Sequence, residues 1–223
     1  IEAFLARDSN LARSSNSGAA VNRTVGGSIS FVLNGDSFLG QNVTGGINGL
    51  ESGVMPTTGS PYAYNLTGAM LEIKGVISGS GGLTKQGFDT VTLSGANTYS
   101  GTTQVSSGVL RIGAQNALPT SGNLLTRGNG VLDLNGLNQT VGQLNSPAAA
   151  ASVSGVNSMG YISNSAPSIA TLTIGAGTSA ANGGGSYGGV IQGNIALLKS
   201  GTSSLQLSGA NSYTGGTTVS AGW

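Results

Sequence analysis

The chain has 223 residues, with eight Lys or Arg against seven Asp or Glu and a net charge of +1. Charged residues are 7% and aromatics 5%, where an ordinary globular domain carries about 25% charge, so there is no electrostatic handle for nucleic acid or an anionic membrane. The absence of histidine and cysteine excludes Ser-His-Asp triads, Cys-His pairs, disulfides and most transition-metal sites.

Residues 1–24 hold Glu2, Arg7, Asp8, Arg13 and Arg23, and Ile1, Phe4, Leu5 and Leu11 fit one face of a short helix or an extended arm. SISFVL at 28–33 predicts a strand closed by Asn34-Gly35. Residues 37–43 either pair with it or begin a further layer. Residues 45–64, rich in Gly and Thr with Pro56 and Pro61, read as an irregular loop. Residues 1–68 therefore form one N-terminal segment, a cap or first coils with a protruding loop. AMLEIKGVI at 69–77 enters the rest, 69–223.

From there apolar residues alternate: Val91 and Leu93, Val105, Leu110 and Ile112, later Leu205 and Leu207. Period two over four to six residues means short strands with one buried face. Gly, Asn, Ser and Thr between them supply turns. Pro119 and Gly122 break regular structure across 113–127. Leu132 and Leu134 point inward, with Asp133 outward between them. Residues 146–167 and 175–189 read as two more irregular loops, and the alanines 148–151 are too few for a helix. TLTI at 171–174 resumes the strands.

The dominant feature is an internal repeat. Residues 75–109 return without a gap at 189–223, an offset of 114, with more than half of the positions identical. The repeat units run over 75–112 and 189–223. Shared positions include Lys85/Lys199, Gly87/Gly201, Asn97/Asn211, Tyr99/Tyr213, Gly101/Gly215, Thr103/Thr217 and Gly108/Gly222. A period this long exceeds one solenoid coil of roughly 20–25 residues, so each copy spans about five coils. The predicted fold is all-β, a parallel β-solenoid with irregular loops. Each repeat Asn is expected to bond backbone at its turn, and each Tyr to pack along the stack.

The pattern G-L-T-K-x-G…L-x-L-S-G-A-N-x-Y-x-G-x-T-x-V-S-x-G, at 82–108 and again at 195–222 with Ala196 for Gly82, resembles the passenger-associated strand repeat of bacterial autotransporters. VLDLNGLNQTVGQL at 131–144 is similar to passenger sequence as well. The resemblance covers about two thirds of the chain. It implies a right-handed β-helix exported to the cell surface and anchored in the outer membrane through a part outside these residues. Both ends of the chain read as cuts in a longer protein.

Candidate chemistry is sparse. The carboxylates are Glu2, Asp8, Asp36, Glu51, Glu72, Asp89 and Asp133. A polysaccharide-acting β-helix enzyme needs two or more of them in one cleft, and Glu72, Asp89 and Asp133 are the set that one face of the stack could gather. The bland alternative is that each is a solvated residue. GGGSYG at 183–188 matches G-x-G-x-x-G but lacks the strand and helix of a dinucleotide site. Lys85 and Lys199 read as solvated turn lysines. Asn22, Asn42, Asn65 and Asn138 open Asn-x-Thr triplets that carry no weight in a bacterial surface protein. No catalytic, cofactor-binding or metal-ligating residue is assigned.

The expected function is a non-catalytic extracellular stalk or adhesin segment, with partners that are the chain itself or surface glycans and proteins. An architectural filament or phage fibre, and the polysaccharide-acting enzyme, are the competing readings.

Overall fold

The computed structural model describes residues 22–25, 31–33, 37–39, 70–87, 90–146, 159–175 and 184–223, and among them every regular element is a strand. The expectations for a helix within 1–11, the loop at 45–64 and the alanines 148–151 lie outside the described residues.

The chain passes repeatedly over three faces in the same order. The first turn lays down β1 (Asn22–Val25), β2 (Phe31–Leu33) and β3 (Ser37–Leu39). The second lays β4 (Met70–Ile73), β5 (Ile77–Gly79) and β6 (Leu83–Lys85) upon them, each strand parallel to its predecessor. Residues 37–39 thus join their own face and do not pair with the strand at 31–33. Next come β7 (Thr90–Leu93) and β8 (Thr103–Val105), then β9 (Val109–Ile112) and β10 (Asn123–Thr126). The following turn holds β11 (Gly128–Asp133), β12 (Gln139–Val141) and β13 (Gln143–Asn145). Above it lie β14 (Met159–Ser163), β15 (Ala170–Ile174) and β16 (Gly185–Tyr187), then β17 (Val190–Gly193), β18 (Ile195–Lys199) and β19 (Leu205–Leu207). Finally β20 (Ser212–Tyr213) and β21 (Thr217–Val219) complete the described stack.

Face 1 is an eight-stranded parallel sheet in the order β1-β4-β7-β9-β11-β14-β17-β20. At about 4.8 Å per rung it is roughly 34 Å long. Face 3 carries β3-β6-β8-β10-β13 and then β16-β19, and face 2 carries β2-β5 and then β12-β15-β18-β21. This is the predicted parallel β-solenoid.

Three expectations are corrected. Residues 113–127 contain β10, 146–167 contain β14, and 175–189 contain β16. Each of these strands is short and inserts one or two large side chains, so its period-two signal is weak. In β16 the inward residue is Tyr187, fully buried, whose hydroxyl meets Thr126 Oγ1 at 2.9 Å across 61 positions of sequence.

The core is one continuous column system. Val91, Leu110, Leu132, Ile162 and Ile191 stack in register on face 1, and Ile73, Leu93 and Ile112 form the column beside them. Nearly all are 0–2% exposed. Truncating any one to Ala would cost about 2–5 kcal/mol, because stacked neighbours on both sides prevent the cavity from closing.

The two repeats share a set of backbone bonds between coils but sit on different faces. Ser94 N→Ile73 O, Ser100 N→Gly79 O and Ser106 N→Lys85 O recur as Ser208 N→Tyr187 O, Thr214 N→Gly193 O and Ser220 N→Lys199 O. Lys85 ends a strand of face 3, whereas Lys199 ends a strand of face 2. The repeat distance is therefore four coils and two faces, close to the five coils expected. The second copy is turned by one face about the axis.

Candidate functional surface

The repeat motif is a set of devices that fasten one coil to the next. Between 91 and 99 its odd-numbered residues are all buried, and the even-numbered ones between them are half-buried or exposed. On face 2 no regular strand lies between β5 and β12, and the backbone bonds Thr98 N→Ile77 O and Ser100 N→Gly79 O supply only part of a ladder there. Buried carboxamides supplement them. Asn97 Oδ1 accepts Ile77 N–H at 2.7 Å from the coil before, and its Nδ2 donates to Ala117 O at 2.7 Å in the coil after. Of the neighbouring coils Gln139 bonds only the one before, accepting Leu118 N–H at 3.0 Å and donating to Leu118 O at 3.2 Å. Asn211 accepts Ile191 N–H at 2.9 Å, as Asn97 does, and turns its Nδ2 back to Gly209 O at 3.1 Å. The expectation for the repeat asparagines holds.

Tyr99 and Tyr213 follow at the next corner. Each hydroxyl meets a Thr four residues on, Thr103 or Thr217, at 2.6 Å. Burial pushes the Tyr99 hydroxyl pKa well above its usual range, the Thr103 bond opposing this in part, and Tyr187 is raised for the same reason. Between Tyr and Thr lies Gly101 or Gly215. A Cβ at Gly215 would come within 2.6 Å of Ala196 N, and one at Gly101 would meet the backbone of Gly81 and Gly82. Only glycine lets the corners stack this closely.

The lysines overturn the expectation of solvated turn residues. Lys85 is fully buried and Lys199 is 3% exposed. Each lies in phase with the inward residue two positions before it, Leu83 or Leu197. Lys85 Nζ donates to Gln86 O at 2.6 Å and Gly87 O at 2.9 Å in its own turn, and to Ser107 O at 3.1 Å in the next coil. Lys199 Nζ repeats this with Gly201 O and with Ala221 O at 3.2 Å. Burial pulls the Lys199 ammonium below the usual lysine range.

Asp133 is corrected in part. Its side chain leaves the core side of β11 as expected, but it is 3% exposed. The turn after β14 covers it. Oδ1 accepts Asn135 N–H at 3.0 Å and Ser165 N–H at 2.9 Å, while Oδ2 accepts Arg111 Nε at 2.9 Å and Ser165 Oγ at 2.8 Å. Burial alone would raise its pKa. The bonds from Ser165, Arg111 and Asn135 outweigh burial and hold the carboxyl below its ordinary 3.8.

Glu72, Thr92, Arg111 and Asp133 form one outward column of face 1. Glu72 and Asp133 are thus three rungs, about 14 Å, apart, beyond the 5–9.5 Å of a glycosidase pair. Glu72 accepts Ser94 Oγ at 2.7 Å and pairs loosely with Lys74 at 3.7 Å in solvent, where such a pair contributes little. Asp89, Glu2, Asp8, Asp36 and Glu51 lie outside the described residues, as do Asn42 and Asn65. Asn138 Oδ1 accepts Thr171 N–H at 2.8 Å, a structural use. GGGSYG supplies strand β16 and its buried tyrosine. Outward amides continue up face 3, where Asn145 Nδ2 donates to Asn123 Oδ1 at 2.7 Å and Asn145 Oδ1 accepts Ser186 N–H at 3.2 Å. Among the described residues no cluster of three acidic, His or Cys side chains is placed to hold a metal.

A three-faced parallel stack with polar outward rows and repeated corner fasteners defines the chain as a β-solenoid. Residues 83–112 and 197–223 match the passenger-associated-transport-repeat family. The chain is 36% identical over 168 residues, 74% of its length, to the adhesin BmaC autotransporter of Brucella suis biovar 1 (strain 1330), and that match spans 4% of the adhesin's own length. No solved structure matches the chain. Together the repeats, the relative and the fold support an autotransporter passenger domain with repeats, exposed at the surface of a bacterium and anchored at its outer membrane.

Proposed function

We propose that this segment is a non-catalytic extracellular stalk that holds adhesive or self-associating surfaces away from the cell. The observation that supports it best is the division of labour along each strand. Inward positions build apolar columns fastened by a few buried polar side chains, and outward amides and hydroxyls bond from coil to coil, from Asn123 through Asn145 and Ser186 to Gln206. Repetition of weak outward contacts gives avidity without a pocket. The separation of Glu72 from Asp133 weighs against hydrolysis of polysaccharide. The partners of this reading are surface glycans and proteins, or a second copy of the chain. The strands Asn22–Val25, Phe31–Leu33 and Ser37–Leu39 pair in parallel with the coil that follows, so these three strands belong to the same stack.

The test coats beads with the purified chain and scores bead clumping and capture of immobilised glycans and host-surface proteins, beside a variant with Asn123, Asn145 and Gln206 replaced by alanine. Clumping or capture that falls in the variant supports the stalk as an adhesive surface. Release of reducing or unsaturated sugar ends from polysaccharides would replace the proposal with the enzymatic reading.

A further inference from the structure

We propose that each repeat contains a cation-binding turn whose ligand is the chain's own lysine, and that this turn fastens one coil to the next where the ladder turns the corner. The last ladder bond on the strand is Ser106 N→Lys85 O, and pairing resumes at Thr90 with Val109. Between them the carbonyls of Gln86, Gly87 and Ser107 converge on one point, and Lys85 Nζ fills it with three N–H donors. Three carbonyl oxygens around a desolvated positive charge make a cation cradle, and the ammonium has the matching donor number.

The second copy is an independent instance. Lys199 makes the same reach, to Gly201 in its own turn and across 22 residues to Ala221, on a different face of the rod. The cradle therefore belongs to the repeat and does not depend on which face it occupies. The motif glycines make room for it: a Cβ at Gly222, where φ is +76°, would fall 2.7 Å from Lys199 Nζ. The two coils that follow show what stands in the lysine's place. Val105 and Thr126 follow Lys85 in the same inward column, and Thr126 Oγ1 donates to Met159 O at 2.9 Å, a single neutral donor to the coil above.

The chain has three lysines, and Lys74 is half-exposed, so it serves as an internal control. Amine acetylation of the folded chain, read by mass spectrometry, is expected to modify Lys74 at least tenfold faster than Lys85 and Lys199. Equal rates overturn the proposal.

Two variants test the charge separately from the stem. Lys85→Ala is expected to lower the thermal midpoint by about 5 °C or more. Propylammonium, which restores the deleted atoms, is expected to recover part of that loss. Tetramethylammonium, which has no N–H to donate, is expected to recover none at equal ionic strength. Lys85→Met keeps the apolar stem, and it is expected to be destabilised and unresponsive to either salt. A Met variant as stable as the parent, or a propylammonium effect no larger on the Ala variant than on the parent, overturns the proposal. If the Ala variant folds only with propylammonium, the proposal stands. If it folds with neither salt, the Met variant and the labelling rates decide.

Discussion

Asn97 and Ile77 are 20 residues apart, and the carboxamide oxygen of the first accepts the backbone N–H of the second at 2.7 Å inside the rod. The same carboxamide donates upward to Ala117 O, so one side chain joins three successive coils. The side chain supplements the backbone bonds Thr98 N→Ile77 O and Ser100 N→Gly79 O beside it.

Replacing Asn97 with Ala therefore strands two buried backbone groups, the N–H of Ile77 and the carbonyl of Ala117. Each uncompensated group costs about 1–3 kcal/mol. Urea unfolding is expected to show a loss of about 3 kcal/mol. The equivalent Asn211→Ala, at a less buried position with one bond to a neighbouring coil, is expected to lose about 1 kcal/mol. Equal losses would show that the bridge across the gap contributes nothing beyond the local turn.

Two glycines separate steric need from backbone need. Gly101→Ala puts a methyl group into the backbone of Gly81 and Gly82, and overpacking of this kind is expected to cost about 3 kcal/mol or to prevent folding. Gly216 has φ of +80°, but a methyl group added there would meet nothing within 4 Å, so Gly216→Ala is expected to cost about 1 kcal/mol of backbone strain alone. Thermal unfolding of the two variants side by side checks the order.

Asp133 sets an acid limit. Its folded pKa lies below the unfolded value of 3.8. The carboxylate's contribution is therefore complete above about pH 4 and disappears as pH falls through the folded value. Asp133→Asn is expected to unfold more easily at neutral pH, because its amide presents N–H groups to Arg111 and Ser165, and to show a shallower loss of stability between about pH 4 and pH 2. Unfolding free energies across that range, for parent and variant, decide it. Parallel slopes would remove Asp133 from the acid response.

The one-face turn between repeats is directly measurable. Gln104 and Gln206 lie in one outward row of face 3, four rungs apart, although Gln206 is the repeat equivalent of Thr92 on face 1. The chain has no native cysteine, so spin labels at Cys introduced at these two positions give a clean distance. The expected backbone separation is about 19 Å. A separation beyond about 25 Å would mean that the two copies sit on the same faces and that the turn is absent.

Much of the candidate site was legible in phase. Asn97 and Tyr99 continue the odd-numbered inward series that begins at Val91, and their roles follow from that series. Lys85 belongs to the same kind of series through Leu83, and its phase pointed inward as well. Its charge argued for solvent, and the deciding fact was the ring of turn carbonyls, which no local pattern displays. Asp133 shows the reverse case: its phase pointed outward, and a turn 32 residues later buried it.

By itself the sequence determined a strand period of two, glycine-marked corners and a 114-residue repeat, because backbone geometry and side-chain alternation are local properties. Those suffice for a parallel solenoid. Only the tertiary structure decided which face each strand joins, that 185–187 is a rung, and that the second repeat is turned by one face. Any short alternating strand can stack on the coil beneath it, so the face depends on how many corners the chain has turned by then. That count runs through 113–189, where stretches of small residues between the alternating segments 131–134 and 171–174 leave it unmarked.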